Sequence, residues 1–326
     1  MQNFFDVDDN ILSSSLRETK HLMISHGWKD VIFIQGGQRF FIGTRPDGQR
    51  ISFASCAAPT TNAFGTRISE DKLSTYYLLK ELGVSQAYTL PLSNDVKSAR
   101  KQLQDLIQKY SKIVIKPSDG AHGNHVYTDI SDLPSALQAY KNTSLHSKKV
   151  LAQQQLESTS PEVRVFCVNY QFVAAFSRIP AHVTGDGRHA VKELIKIENS
   201  TIRTAPYQSN LSFIDESMSS EYITKQGIAD YVPTLGETVQ VIRMCNIGRG
   251  GTNENISDIF PPKLKKLSEK IAKKFELPII GIDFLGENVL EVNSQPSSYY
   301  PTGDASASIC VEKYVDYLEH CNLSTS

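Results

Sequence analysis

The chain has almost no net charge: across 326 residues, 34 Lys and Arg against 35 Asp and Glu leave −1. It therefore offers no basic footprint for nucleic acid and no polybasic patch for a membrane surface. No apolar run approaches the roughly 18 residues that span a bilayer. The opening MQNFFDVDDN carries acids where a signal peptide has a basic segment. Cysteines are few, and Cys56, Cys167, Cys245, Cys310 and Cys321 never fall in C-x-x-C spacing. This excludes a zinc cluster or a disulfide framework and points to reduced thiols in the cytoplasm. There is no G-x-x-x-x-G-K-S/T loop, no internal repeat and no low-complexity segment. What is present is 40% hydrophobic, 21% charged and 9% aromatic residues, the composition of a folded globular protein.

Residue patterning predicts a mixed α and β chain. Val31–Ile34, Phe40–Gly43 and Ile51–Phe53 are short apolar runs punctuated by Gly36-Gly37 and TRPDG, so the first sixty-odd residues read as strands and turns. A helix is expected from about Glu70, capped by Ser69 and ended by Gly83. Val96, Ala99, Leu103, Leu106 and Ile107 repeat at helical spacing, and Ile113–Ile115 reads as a buried strand. VLAQQ, VRVFCV and QFVAAF read as an antiparallel meander, and the polar stretch 195–235 as a long insertion or lid. Leu264, Leu267, Ile271 and Phe275 mark another helix. Strands at Ile279–Leu285 and Asn288–Val292 then form a hairpin turning at Gly286-Glu287.

Three features carry chemistry. In KPSDGAHGNHV, Lys116 ends a strand and a Ser/Gly-rich loop follows; glycines let backbone N–H groups close over an anion while the lysine adds charge. An ordinary surface turn fits that stretch as well. On the C-terminal hairpin, Glu291 and Asn293 are two apart and share a face, and Asp283 on the neighbouring strand can join them. Three oxygen ligands without His or Cys suit Mg²⁺ or Mn²⁺ bridging phosphates, although a solvated edge hairpin would also look polar here. Arg164, Arg178 and Arg243 recur between the loop and the hairpin; arginine suits bidentate capture of phosphate or carboxylate.

The order of these pieces resembles the ATP-grasp superfamily of carboxylate–amine ligases, with the nearest likeness to the grasp region of cyanophycin synthetase and of bifunctional glutathione-forming enzymes. The likeness runs over residues 66–300. ISEDKLSTYYLLKELGV resembles the segment with the first phosphate lysine, here Lys72, and IVIKPSDGAHGNHV the second lysine and loop. SRIPAHVTGDGRHAVKELIKIEN, VPTLGETVQVIRMCNIGRGGTNENISD and GIDFLGENVLEVNSQP are similar to further elements in the same order. The chain departs from the pattern at Gln153, where an acid usually faces adenine, and at Ser297, where N-x-x-P-G usually ends in glycine.

The resemblance implies an α+β chain with the ATP-grasp fold. An N-terminal α/β domain at 1–65 would precede a small lobe at 66–152 with the phosphate loop. A large lobe at 153–326 would carry the 195–235 insertion and the metal hairpin. It implies ATP with Mg²⁺ or Mn²⁺: Lys72, Lys116, Ser118, Gly120 and Gly123 around the phosphates, Gln153, Gln154 and Leu156 around adenine, and Glu162 at the ribose. Asp283, Glu291 and Asn293 would hold metal, and Arg243, Arg178 and Asn246 would act on the transferring phosphoryl group and the intermediate's oxyanion. The implied activity is peptide or amide bond formation through an acylphosphate on an amino acid or short peptide, with ADP and phosphate released. Members often form homodimers. Alternatives are a glutathione-synthetase-like addition of glycine to a dipeptide and a non-catalytic ATP-binding subunit. Removing Lys116 or Asp283 is expected to abolish turnover and spare the fold.

Overall fold

A computed structural model of the chain describes residues 2–34, 40–54, 56–120, 124–157, 161–201, 212–243, 245, 247–298 and 305–322. In the N-terminal unit, β1 (Gln2–Asn3), α1 (Ser14–Ser25), β2 (Lys29–Ile34), β3 (Phe40–Thr44) and β4 (Arg50–Ala54) form an antiparallel sheet in sequential order with one helix. The helix α1 escapes a reading by apolar spacing because its buried positions are Leu16, Thr19, Lys20 and Met23. Lys20 is tolerated inside because its Nζ donates to Val7 O at 2.7 Å and to Asp9 Oδ1 at 2.8 Å.

Two helices, not one, come next: α2 (Ala63–Glu70) and α3 (Lys72–Glu81). Ser69 lies inside α2, with its Oγ donating to Thr66 O, and the residue that caps α3 is Asp71, which accepts from Ser74 N at 2.8 Å. The break between them places Lys72 at the first turn of α3. Both helices pack on the third sheet described below.

A second sheet is built from β5 (Thr89–Pro91), β6 (Ile113–Pro117), β7 (Tyr127–Ile130) and β8 (Val150–Gln154) in the order β5-β8-β6-β7. Helices α4 (Val96–Tyr110) and α5 (Leu133–Ser144) cover it through Ala99, Leu103, Leu106, Ala136 and Ala139. The expected meander therefore divides: β8 is central here, between β5 and β6, and only the two following strands stay together. Val150, Leu151 and Ala152 are all buried, and a run without alternation does not reveal its partners.

The third sheet takes β9 (Glu162–Val168) and β10 (Gln171–Ile179), which are joined by a hairpin. The chain then leaves through β11 (His182–Thr184), α6 (Val191–Thr201), α7 (Glu216–Lys225) and β12 (Thr238–Gln240) before returning as β13 (Thr252–Asn255). This excursion is not an open insertion. Val183, Val191, Leu194, Ile195, Ile214, Ile223 and Val241 close a core of their own, with α6 packed on β11 and α7 packed on α6. Residues 202–211 of the expected lid lie outside the described residues. After α8 (Pro262–Lys274), strands β14 (Ile279–Leu285) and β15 (Asn288–Asn293) complete an antiparallel sheet of order β13-β10-β9-β14-β15. The last helix, α9 (Ile309–His320), returns to α1.

Strand alternation gives this third sheet two unlike faces. Val163, Val165, Cys167, Ala175, Ile280, Ile282, Phe284 and Val292 pack under α8 and α3. On the opposite face, Phe166, Val168, Ala174, Phe176 and Ile279 are buried with the N-terminal unit and α9. That cover occupies one end of the face; the other end keeps the polar residues described next.

The approach of α2 to the end of α8 needs a glycine. A Cβ on Gly65 would fall 2.0 Å from Phe275 O, a backbone atom with nowhere to go. Gly65→Ala is expected to destabilise the protein by more than the about 1–3 kcal/mol of ordinary overpacking, read as a lower urea midpoint at unchanged slope.

Candidate active site

Cross-strand register assembles the polar end of the third sheet. Asn253 on β13 stands opposite Arg178 on β10, which in turn ion-pairs with Glu162 on the adjacent β9. In the next row, Arg164 on β9 stands opposite Asp283 on β14, and Asp283 opposite Glu291 on β15. Gly281 and Asn293 face one another in the row beyond. Residues paired this way share a face, so the row is a direct consequence of register.

Asp283 is 3% exposed. Arg164 donates to both of its oxygens, through Nε and through Nη2 at 2.8 Å, and Arg178 Nη2 stands 3.7 Å away. Gly281 makes room for this: a Cβ there would fall 2.7 Å from Pro296 Cβ and 3.2 Å from Arg164 Nη1. Burial opposes ionisation of Asp283, but Arg164 and then Arg178 outweigh it and hold its carboxyl below the usual range. Glu162 goes the other way. Burial and then the Asp283 charge push it up to about 7, despite the 2.7 Å contact with Arg178 Nη1. In this conformation the Glu162 carboxylate is paired with Arg178.

The other wall of the cleft comes from α3 and the second sheet. Lys72, Lys116, Gln153 and Glu291 line one cavity together with Thr89 and Gln86. Lys72 Nζ donates to Gly120 O at 2.7 Å and is 3.7 Å from Glu291 Oε1. Its backbone N donates to Ser118 O, so α3 is tied to the loop twice. Gly120 has φ +106, a left-handed conformation that favours glycine. Lys116 Nζ donates to Gln153 Oε1 at 2.7 Å, and Gln153 Nε2 donates to Thr89 Oγ1 at 2.8 Å. Gln153 thus holds Lys116 in place in this conformation, and its amide keeps a second N–H and a second lone pair. A glutamate would neutralise the lysine; the neutral amide does not. Burial, then the Lys72 charge, push Lys116 down to about 8, with Glu291 opposing.

The remaining expectations fare differently. Gln154 is held on β5's approach by its backbone N–H to Tyr88 O at 2.9 Å, and Leu156 is half-buried beyond it. Arg243 is exposed and ion-paired with Asp129 on β7, so in this conformation its guanidinium is engaged away from the Asp283 row. His182 Nδ1 lies 3.0 Å from Pro180 O, a structural contact. Gly123 and Asn246 lie outside the described residues. The sequence reading missed Asn253, Thr89 and the capping Asp71; a polar TNEN strand and an interrupted helix leave no apolar signal to find them by.

Does the hairpin fit a divalent cation? Asp283, Glu291 and Asn293 supply oxygen donors from facing strands. A carboxylate bound twice by Arg164 still has lone pairs to give. Among the described residues Asn293 Nδ2 has no hydrogen-bond partner although it is buried, and turning the amide would present its oxygen at that position. The residues fit.

Sequence comparison agrees with the geometry. The model for the prokaryotic glutathione synthetase ATP-grasp domain matches residues 86–207. Cyanophycin synthetase from Crocosphaera subtropica is 30% identical over 243 residues, spanning 69% of this chain and 27% of that protein. The chain has the ATP-grasp fold. The glutathione biosynthesis bifunctional protein GshAB of Streptococcus agalactiae is 22% identical over 231 residues, 69% of this chain and 30% of that one. Among solved structures, a bifunctional glutathione synthetase from Pasteurella multocida aligns with TM-score 0.63 at 19% identity, over 94% of this chain and 44% of the other. This ATP-grasp chain thus spans less than half the length of the relatives it matches. Enzymes of the superfamily use ATP together with metal ions. Among the described residues, no helix is long and apolar enough to cross a membrane.

Two outcomes follow from the electrostatics. Lys116 is protonated below about pH 8 and neutral above it, and a phosphate needs the proton. ATP affinity, measured by calorimetry, is expected to hold below about pH 8 and to fall by up to about tenfold per unit above it. An affinity that stays flat through that range would contradict it. The sequence suggests that Asp283 can be removed without cost to folding, but Asp283→Ala takes away the buried carboxylate whose two oxygens Arg164 holds, while Arg178 keeps Glu162. The variant is expected to lose about 3–5 kcal/mol of unfolding free energy in urea.

Proposed function

We propose that this protein is an ATP-dependent carboxylate–amine ligase that forms a peptide or amide bond on an amino acid or short peptide. The observation that carries the reading is the convergence of two lysines and a carboxylate hairpin from different units on one cleft, with Lys72 Nζ 3.7 Å from Glu291 Oε1.

A carboxylate does not react with an amine near neutral pH because its oxygen is a poor leaving group. Its oxygen attacks the γ-phosphorus of ATP, the new C(O)O–P bond forms, and the bond to ADP breaks. The amine then attacks the acyl carbon of that acylphosphate, and phosphate leaves from the tetrahedral intermediate. Phosphoryl transfer of this kind asks for positioning and for neutralisation of spreading negative charge. We assign Lys72 and Lys116 to the phosphates, together with Ser118, whose buried Oγ has no hydrogen-bond partner among the described residues. Gln153 and Thr89 hold Lys116 in place. Arg178 faces the acid, and Arg164 orients Asp283. A Mg²⁺ ion held by Asp283, Glu291 and Asn293 would offset the charge of the triphosphate. Water must be kept from the acylphosphate. We keep the division at 65 and 152 as a working organisation, amended by α9, which packs with the N-terminal core. The free thiols of all five cysteines support a cytoplasmic setting.

The test is ADP and phosphate release with ATP and Mg²⁺ across pools of amino acids and dipeptides, with mass spectrometry of products. Release that requires both an acid and an amine, with a condensation product, is expected. Lys116→Met and Glu291→Gln are expected to cut it by about a hundredfold or more. Mg-ATP binding with no release from any pool would instead favour the non-catalytic alternative.

A further inference from the structure

Among the described residues, the buried side-chain polar atoms without a hydrogen-bond partner are Ser118 Oγ, Arg178 Nε, Asn293 Nδ2 and both ends of the Asn253 amide. The first three belong to residues already given a task. Asn253 does not. It is 5% exposed, in the middle of β13, directly opposite Arg178 and on the same face as Glu162 and Asp283. Burying an amide with neither its donor nor its acceptor matched is unfavourable, and an apolar side chain of similar volume would avoid the penalty. A polar residue so placed is explained if a ligand supplies the missing partners.

We propose that Asn253 and Arg178 together form a subsite that reads an amide group next to the carboxylate being activated, so that Asn253 selects acids that are N-acylated over free amino acids. This rests on the ligase reading above. The unmatched groups define the ligand: Arg178 Nε–H donates to a carboxylate oxygen, Asn253 Nδ2 donates to a carbonyl, and Asn253 Oδ1 accepts from an N–H. Carboxylate, N–H and C=O in succession are the C-terminal residue of a peptide. Arg178 and Asn253 occupy facing positions on adjacent strands, so one ligand can meet both. A free amino acid presents an ammonium group instead. It would satisfy Oδ1, leave Nδ2 without an acceptor, and put a second positive charge beside Arg178. A site built to pair polar groups discriminates strongly against a ligand that leaves them unpaired.

Hydroxylamine makes the test independent of the natural amine, because it converts an acylphosphate to a hydroxamate with release of phosphate. The full chain is given ATP, Mg²⁺ and hydroxylamine with matched acids. These are free amino acids, their N-acetyl derivatives, dipeptides with the same C-terminal residue, and depsipeptides in which an ester oxygen replaces the amide N–H. Hydroxamate formation is expected to favour N-acetyl and dipeptide acids by about tenfold or more in kcat/KM over the free amino acids, and over the esters by a similar factor. Asn253→Ala is expected to erase the amide-over-ester preference. If that variant does not fold, the amide–ester comparison on the unaltered chain decides alone. Equal use of free amino acids and peptides, or of esters and amides, overturns the subsite and leaves the ligase standing. No hydroxamate from any acid overturns the ligase reading, and the subsite with it.

Discussion

The buried pairing of Asp283 with Arg164 and Arg178 is the constraint around which the large sheet is organised. A carboxylate taken out of water is unstable unless it is matched in both charge and hydrogen bonds. Here the match comes from neighbouring strands: Arg164 from β9 covers both oxygens, and Arg178 from β10 approaches from beyond. The pairing holds only in one register. A slip of one residue in β14 would point Asp283 into the apolar face with Ile282 and Phe284 and bring those side chains to the cleft. Structure and chemistry are thus specified together. The contact that fixes the sheet also fixes the carboxylate beside Glu291, where phosphate charge is to be met.

The opposite wall works by undercompensation. Lys72 has Glu291 and the Gly120 carbonyl within reach, whereas Lys116 has a neutral glutamine. The protein therefore holds a half-buried cation that lacks a charged partner, and a nucleotide phosphate is the natural one. Gln153 at a position that usually carries an acid looked like a weakened adenine contact. In the fold it is a device for holding a lysine with its charge unspent, while Thr89 fixes which way the amide points. Arg243, by contrast, is exposed and already paired with Asp129 on β7.

Much of this was legible in the residues. The hairpin of Asp283, Glu291 and Asn293 could be drawn because apolar positions alternate against polar ones over two adjacent segments, and a period of two assigns faces without further help. Lys116 and its loop could be placed because a buried strand ends in a charged residue followed by glycines. The amphipathic helices α4 and α8 declared themselves through spacing. The failures share a cause as well. The buried side of α1 includes a lysine and a threonine, β8 is buried along its whole length, and the 195–235 region reaches its core through residues far apart in sequence.

The chain's own order of residues determined which segments are strands or helices wherever one face is wet and the other dry, and it put Lys72, Lys116, Asp283 and Glu291 on identifiable elements. Tertiary structure alone decided which strands are neighbours, and with that the partner of every charged group. Glu162 belongs to Arg178, Gln153 to Lys116, and Asn253 to the face of Arg178, because hydrogen bonds and ion pairs form between groups brought within a few ångströms by packing. Periodicity is local and survives in one dimension. Proximity between β13 and β10, or between β8 and β6, is a property of the closed sheet, and no single segment carries it.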